Sequence, residues 1–311
     1  MKNNIFAVLI LKTKNMNVKI IGQALYLIFF VSFTMAQVKI EKPLDGVVSN
    51  KDILVQAAGI NEVLVEQFTL FFRTQHTSVE PSVGVMVQAK LDLDPKLALE
   101  ITDDAYAYLK EAFLKKGYKV GEIDKEAFKN TNEVKKADKR GEEQWLINGS
   151  TVELNNKKLG DKYITAHATG VNFCPIIRRT IIGTFDTKVA STVAFVQVIN
   201  FADPSAPKKK GRYLGSPIIT PSLMLDPGET ICGTGGFGFW NAKIKGGSVS
   251  FPVNSDIRWQ GYSWLAGTKD LDEPNTQLWL LNRDEFKKAV LELSKAQIDQ
   301  YITEYIKAIT P

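Results

Sequence analysis

The stretch Val83 to Val120, VGVMVQAKLDLDPKLALEITDDAYAYLKEAFLKKGYKV, constrains the fold more than any other part of the chain. Val83 to Leu93 alternates apolar and polar residues at the two-residue period of a strand buried on at least one face. The period then changes. Asp94 has the short acceptor side chain of an N-cap, and Pro95 suits the first helical position, where no amide hydrogen is needed. Leu97, Ile101, Ala105, Tyr108, Ala112 and Phe113 recur at helical spacing. Gly117 supplies the left-handed exit, and Tyr118-Lys119-Val120 resumes a strand. Strand, helix and strand in this order predict a βαβ-type unit, which needs a sheet to lie on.

Other segments supply that sheet. Val63 to Phe72, Trp145 to Ile147, Tyr163 to Phe173, Arg179 to Phe185 and Ser191 to Phe201 carry the β-branched and aromatic density of strands. Phe239, Ala242, Ile244, Val249 and Phe251 flank Gly246-Gly247, the pattern of a β-hairpin. A more polar helix is expected from Lys125 to Asp138. Toward the carboxy terminus Asn282 with Glu285, and then Ser294 with Gln297, form two capping-box patterns, predicting one kinked helix or two across 283–309. The expected fold class is α+β, with helices packed on a mainly antiparallel sheet. Residues 37–311 read as a single domain, with a β-rich subdomain near 203–265.

Residues Ile20 to Phe33 form an apolar run preceded by Lys19 and followed by Thr34-Met35-Ala36. That is the charged start, apolar core and small-residue exit of a secretory signal peptide, with cleavage before Gln37. The run is shorter than the about 20 apolar residues of a spanning helix; an uncleaved anchor is the alternative, and Met16 begins a more compact version of the same signal. The chain is therefore expected to be exported, whether periplasmic, outer-membrane-associated or secreted, with no stable transmembrane span after cleavage. Of 39 basic and 34 acidic residues, residues 1–36 hold four lysines and no acid, so the remainder carries a net charge of +1. Lys208-Lys209-Lys210 with Arg212 reads as a solvated loop tip. With no basic face, nucleic-acid binding is not expected.

An exported chain with two cysteines permits one bridge, Cys174–Cys232, closing a loop on the order of 60 residues. Two buried thiols, or a reactive Cys232, are the alternatives. His76 and His167 have no partner at metal-ligand spacing, so no metal and no cofactor is expected. Gly233-Thr234-Gly235-Gly236-Phe237-Gly238 lacks the Lys-Ser/Thr ending of a phosphate loop and reads as a bend or bulge. No Gly-x-Ser-x-Gly elbow occurs. Asp226, Glu229 and Asp256 are available as carboxylates, but nothing in the sequence pairs them. The densest unusual feature is aromatic. Phe237, Phe239, Trp240, Phe251, Trp259, Tyr262 and Trp264 fall within 28 positions. Such rings at strand spacing line a ligand or partner surface, or else build a sheet core shared with the terminal helix.

Val83 to Val120 is also similar to the strand–helix–strand opening of the periplasmic domain in the curli secretion channel family and its lipoprotein relatives. Lys158 to Phe173 and Ser191 to Ala202 resemble the strands that follow. Two departures stand out: Gln37 occupies the place of the family's lipidated cysteine, and no pair of long membrane hairpins is evident. The resemblance implies a soluble envelope-assembly module, and no functional residue carries over from it. These readings together predict a non-catalytic exported envelope protein that binds an envelope protein or polymer. A hydrolase acting on glycan or peptide, and a structural subunit assembling with copies of itself as a homo-oligomer, are the alternatives.

Overall fold

The computed structural model describes residues 38–40, 56–80, 85–122, 150–155, 161–170, 191–203, 208–209, 212–213, 219–226, 229–230, 233–234, 236–240, 248–252, 254 and 257–310. The chain divides into two units between Gln37 and Val38, and every described residue belongs to the second. The expected helix over 125–138, the strand over 179–185 and both cysteines lie outside the described residues.

The architecture is α+β. Its strands are β1 (Val38–Ile40), β2 (Glu62–Glu80), β3 (Val85–Leu91), β4 (Lys119–Glu122), β5 (Ser150–Asn155), β6 (Lys162–Gly170), β7 (Ser191–Asp203), β8 (Lys208–Lys209), β9 (Arg212–Tyr213), β10 (Thr220–Asp226), β11 (Glu229–Thr230), β12 (Gly233–Thr234), β13 (Gly236–Trp240), β14 (Ser248–Pro252), β15 (Ile257–Trp259), β16 (Leu265–Asp270) and β17 (Thr276–Leu281). Two helices, α1 (Pro95–Lys115) and α2 (Arg283–Ile309), complete the described elements. Thirteen of the strands join one sheet; β8 with β9 and β11 with β12 form separate two-stranded ladders.

The spine of the sheet is β2. At about 3.3 Å per residue its 19 residues reach about 60 Å, long enough to serve two neighbours on each edge. Residues Val63 to Phe72 pair with β7, and Gln75 to Glu80 pair with β3. Glu62 to Val65 pair with β4, and Gln67 to Gln75 with β6. Gln75 faces both Lys90 of β3 and Lys162 of β6, so those two strands lie on opposite edges.

The expectation of a mainly antiparallel sheet is corrected here. The sheet is mixed, because β2–β7, β2–β4 and β3–β17 are parallel. Strand β3 runs antiparallel to β2 and β4 runs parallel to it on the other edge, so α1 carries the chain across β2 and does not close a parallel βαβ crossover.

Helix α1 forms where its residues predict. The Asp94 carboxylate accepts the Leu97 amide at 2.9 Å, and Gly117 leaves the helix with φ 85°. Its buried face includes Leu97, Ile101, Ala105, Tyr106, Leu109 and Phe113. Helix α2 is one continuous helix, which corrects the two-helix alternative. Ser294 and Gln297, the second capping pattern, sit inside it and are buried; the Gln297 side chain accepts the Asn254 amide at 2.7 Å. Both helices continue from parallel strands, β3 and β17, and they run parallel to each other. Arg283 bridges to Asp94 at 2.5 Å, Lys287 to Asp104 at 2.9 Å, and the Tyr108 hydroxyl donates to Asp299.

The core lies between the helices and one face of the sheet. Phe68 stacks on Phe195 at 4.6 Å and meets Tyr106 of α1 at 5.4 Å, while Phe195 meets Tyr301 of α2 at 5.8 Å. Side chains alternate across a strand, so Thr69, Phe71 and Arg73 face the other side.

Candidate functional site

On that second face Phe71, Tyr163 and Val198 form an apolar cluster, flanked by polar groups from β2, β6, β7 and β10. Arg73 is the centre of the larger polar group. Its Nε and Nη2 donate to the Tyr163 hydroxyl at 3.1 and 2.9 Å, and its Nη1 donates to His76 Nδ1 at 3.1 Å. Asp226 of β10 lies 3.4 Å and Asp161 3.7 Å from the same guanidinium. Asp161 also accepts the Thr77 backbone amide at 2.9 Å, and Asn200 donates to Asp226 at 3.3 Å.

A β-bulge makes this cluster possible. In a regular strand, positions three apart face opposite sides. Tyr163 faces Arg73 and Lys162 faces Gln75, so Thr74 is an extra residue that resets the alternation and brings His76 to the side of Arg73. Arginine can only donate, so His76 Nδ1 is the acceptor and its hydrogen sits on Nε2, which is buried without a partner. Burial, and then the Arg73 charge, lower the His76 pKa below its ordinary value.

The second histidine occupies the same face. The Thr69 hydroxyl accepts from the Gln67 side-chain amide at 3.0 Å and is hydrogen-bonded to His167 Nδ1 at 2.8 Å. His167 Nε2 and the Thr165 hydroxyl are buried without partners. Burial pushes the His167 pKa down to about 4, so the ring is neutral.

The open concavity is elsewhere. A cleft of about 440 Å³ lies between β3 and the turn joining β16 to β17, with Ile219 also lining it. Its lining includes the exposed amides Asn275 and Gln277, the acids Asp270 and Glu273, and Gln88, whose carboxamide is held within the fold by Thr77 at 3.4 Å and Thr276 at 3.5 Å. Trp279 also lines it, nearly buried and edge-on to Phe201 at 5.3 Å.

The aromatic segment is divided by the fold. Strand β13 pairs antiparallel with β14, so the expected hairpin partners form, but Phe239 and not Ile244 stands opposite Val249, and Phe237 stands opposite Phe251. Ala242, Ile244 and Gly246-Gly247 lie outside the described residues. Phe237, Phe239 and Trp240 are placed as backbone in β13, and their side chains lie outside the described residues. Trp264 is fully buried against Phe286 of α2, and Trp259 is 6% exposed. These two belong to the core that the segment was alternatively read to build. Tyr262, on the turn between β15 and β16, is 59% exposed. Cys174 and Cys232 are outside the described residues, so their pairing is not placed. Of the carboxylates, Asp226 joins the Arg73 cluster, Glu229 is placed only as backbone, and Asp256 is not described.

Sequence reasoning missed Arg73, Asp161 and the cleft. One signal was available: Gln67, Thr69 and Arg73 recur at alternate positions with Phe71 inside an apolar stretch, marking a strand whose second face is polar yet enclosed. Among the described residues no group of His, Cys, Asp and Glu could hold a metal ion, and no helix is long and apolar enough to cross a membrane. No family model matches the chain, and neither a curated protein nor a solved structure matches it. The class defined by fold and site is thus an α+β domain on a mixed sheet, with a closed polar cluster on one face and an open amide-lined cleft.

Proposed function

We propose that the protein is a non-catalytic, exported binding module of the cell envelope. The observation that carries this reading is the contrast between its two polar regions. Arg73, Asp161 and Asp226 face one another in the fold, so their charges hold three strands together. The cleft instead turns carboxamides and an unclosed space toward solvent, which is the chemistry of recognition. Tyr262 adds an exposed aromatic ring of the kind that anchors protein contacts. The apolar leader with its small-residue exit supports export, and the resemblance of residues 83–202 to envelope-assembly domains supports a partner in that compartment.

The test is a native pull-down of the tagged full chain from gently solubilised envelopes, followed by size-exclusion of the eluate. Recovery in a defined complex with an envelope protein or polymer is the expected result. A lone monomer that turns over glycan or peptide substrates would overturn the reading in favour of a hydrolase.

A further inference from the structure

We infer that the cleft between β3 and the β16–β17 turn binds an uncharged saccharide segment. The inference rests on the reading of the chain as a binding module and assigns that module its ligand class. Among the described residues, the charged groups in the walls are the carboxylates of Asp270 and Glu273. Glu273 is already paired, with both oxygens 2.7 Å from Lys90 Nζ. With Glu273 neutralised by Lys90, the Asp270 carboxylate leaves the walls with a negative charge that disfavours an anionic ligand. A wholly apolar one would strip water from the exposed side chains of Asn275 and Gln277 and return no hydrogen bonds.

Hydroxyl groups fit what remains. A carboxamide both donates and accepts, and so does a hydroxyl. The Gln277 amide donates to Asp270 Oδ1 at 3.0 Å, which fixes an amide–carboxylate pair with acceptors and a further N–H left for a ligand. Asn275 holds a left-handed backbone at φ 55°, which asparagine tolerates better than most residues. Its backbone carbonyl accepts the Gln88 backbone N–H at 2.9 Å, which ties the turn to β3. Val87, Ile219 and Leu271 supply apolar wall for the C–H face of a sugar ring. The volume falls in the roughly 300–1,000 Å³ range of small-ligand sites, room for a short oligosaccharide.

The experiment is calorimetric titration of the purified full chain with cellotetraose, maltotetraose, xylotetraose and chitotetraose, and separately with tetragalacturonate and spermidine. Saturable binding of at least one uncharged tetrasaccharide is expected. Asn275→Gly keeps the left-handed backbone while removing the carboxamide, and Gln277→Ala removes the other; each should weaken binding about tenfold or more, with the melting temperature unchanged. The assignment is overturned if no uncharged tetrasaccharide binds the folded protein up to about 10 mM, if both variants bind as the parent does, or if only the anion or the polyamine binds. A pull-down that recovers an envelope partner while these titrations stay silent would sink the saccharide assignment alone; failure of both would remove the binding module as well.

Discussion

Arg73 gives two of its hydrogens to the hydroxyl of Tyr163, ninety positions later in the chain. That contact ties the middle of β2 to the start of β6, and the same guanidinium faces the end of β10 through Asp226. Removing it would leave Asp161, which is 2% exposed, without its countercharge. Arg73→Met should therefore cost about 3–5 kcal/mol in urea unfolding, whereas Tyr163→Phe, which removes only an acceptor, should cost about 1 kcal/mol. Adding Asp161→Asn and Asp226→Asn to Arg73→Met should recover part of the loss. A triple variant no more stable than the single one would show that the charges are not the reason for the cost.

Trp264 and Tyr262 are two positions apart and separate core from surface. Trp264→Ala empties a fully buried site against Phe286 and should destabilise by about 3–5 kcal/mol. Tyr262→Ala should change stability by no more than about 0.5 kcal/mol while reducing recovery of the envelope partner. Equal partner recovery with and without the Tyr262 ring would remove this turn from the interface.

Gly117 at the end of α1 and Gly267 inside β16 make a sharper comparison. Gly117 has φ 85° with open space around its missing Cβ, so the strain of a side chain there is purely backbone. Gly267 also has open space but no positive φ. Gly117→Ala should cost about 1 kcal/mol, and Gly267→Ala should be close to neutral, in thermal or urea unfolding. A neutral Gly117→Ala would mean that the helix ends differently.

Local signals account for what was legible in the chain. Asp94, Pro95 and Gly117 mark α1 because capping and left-handed exits depend on neighbouring residues alone. That β13 pairs with β14 was legible from alternating apolar residues, but the register was not, since Phe239 and not Ile244 faces Val249. Strand direction was not, since β2 meets β7 in parallel through residues more than a hundred positions apart. Nor could Ser294 and Gln297 be assigned correctly from sequence. Their capping pattern is local, but burial beneath the helix and the bond to Asn254 decide that α2 continues through them. The Arg73 cluster was hidden for the same reason, because an extra residue at Thr74 is visible only in the register with β6.

His167 makes folding stability depend on pH in a fixed direction. Its imidazole is neutral in the fold, with a pKa pushed by burial from 6.5 down to about 4. Below pH 6.5 the unfolded chain takes up a proton that the folded chain refuses, so the unfolded state binds more protons and stability falls as the pH drops. The contribution is complete above pH 6.5, declines between 6.5 and 4, and amounts to about 3 kcal/mol over that window. His76 shifts in the same direction and stays unchanged in a His167 variant, so a subtraction isolates one ring. His167→Gln keeps a hydrogen-bonding partner for Thr69, since a carboxamide both donates and accepts, and removes the titration. Urea unfolding of both proteins from pH 7.5 to pH 4.5 should show the parent losing more stability than the variant, by up to the same few kcal/mol. Parallel pH profiles would mean that His167 takes its proton inside the fold as readily as outside it.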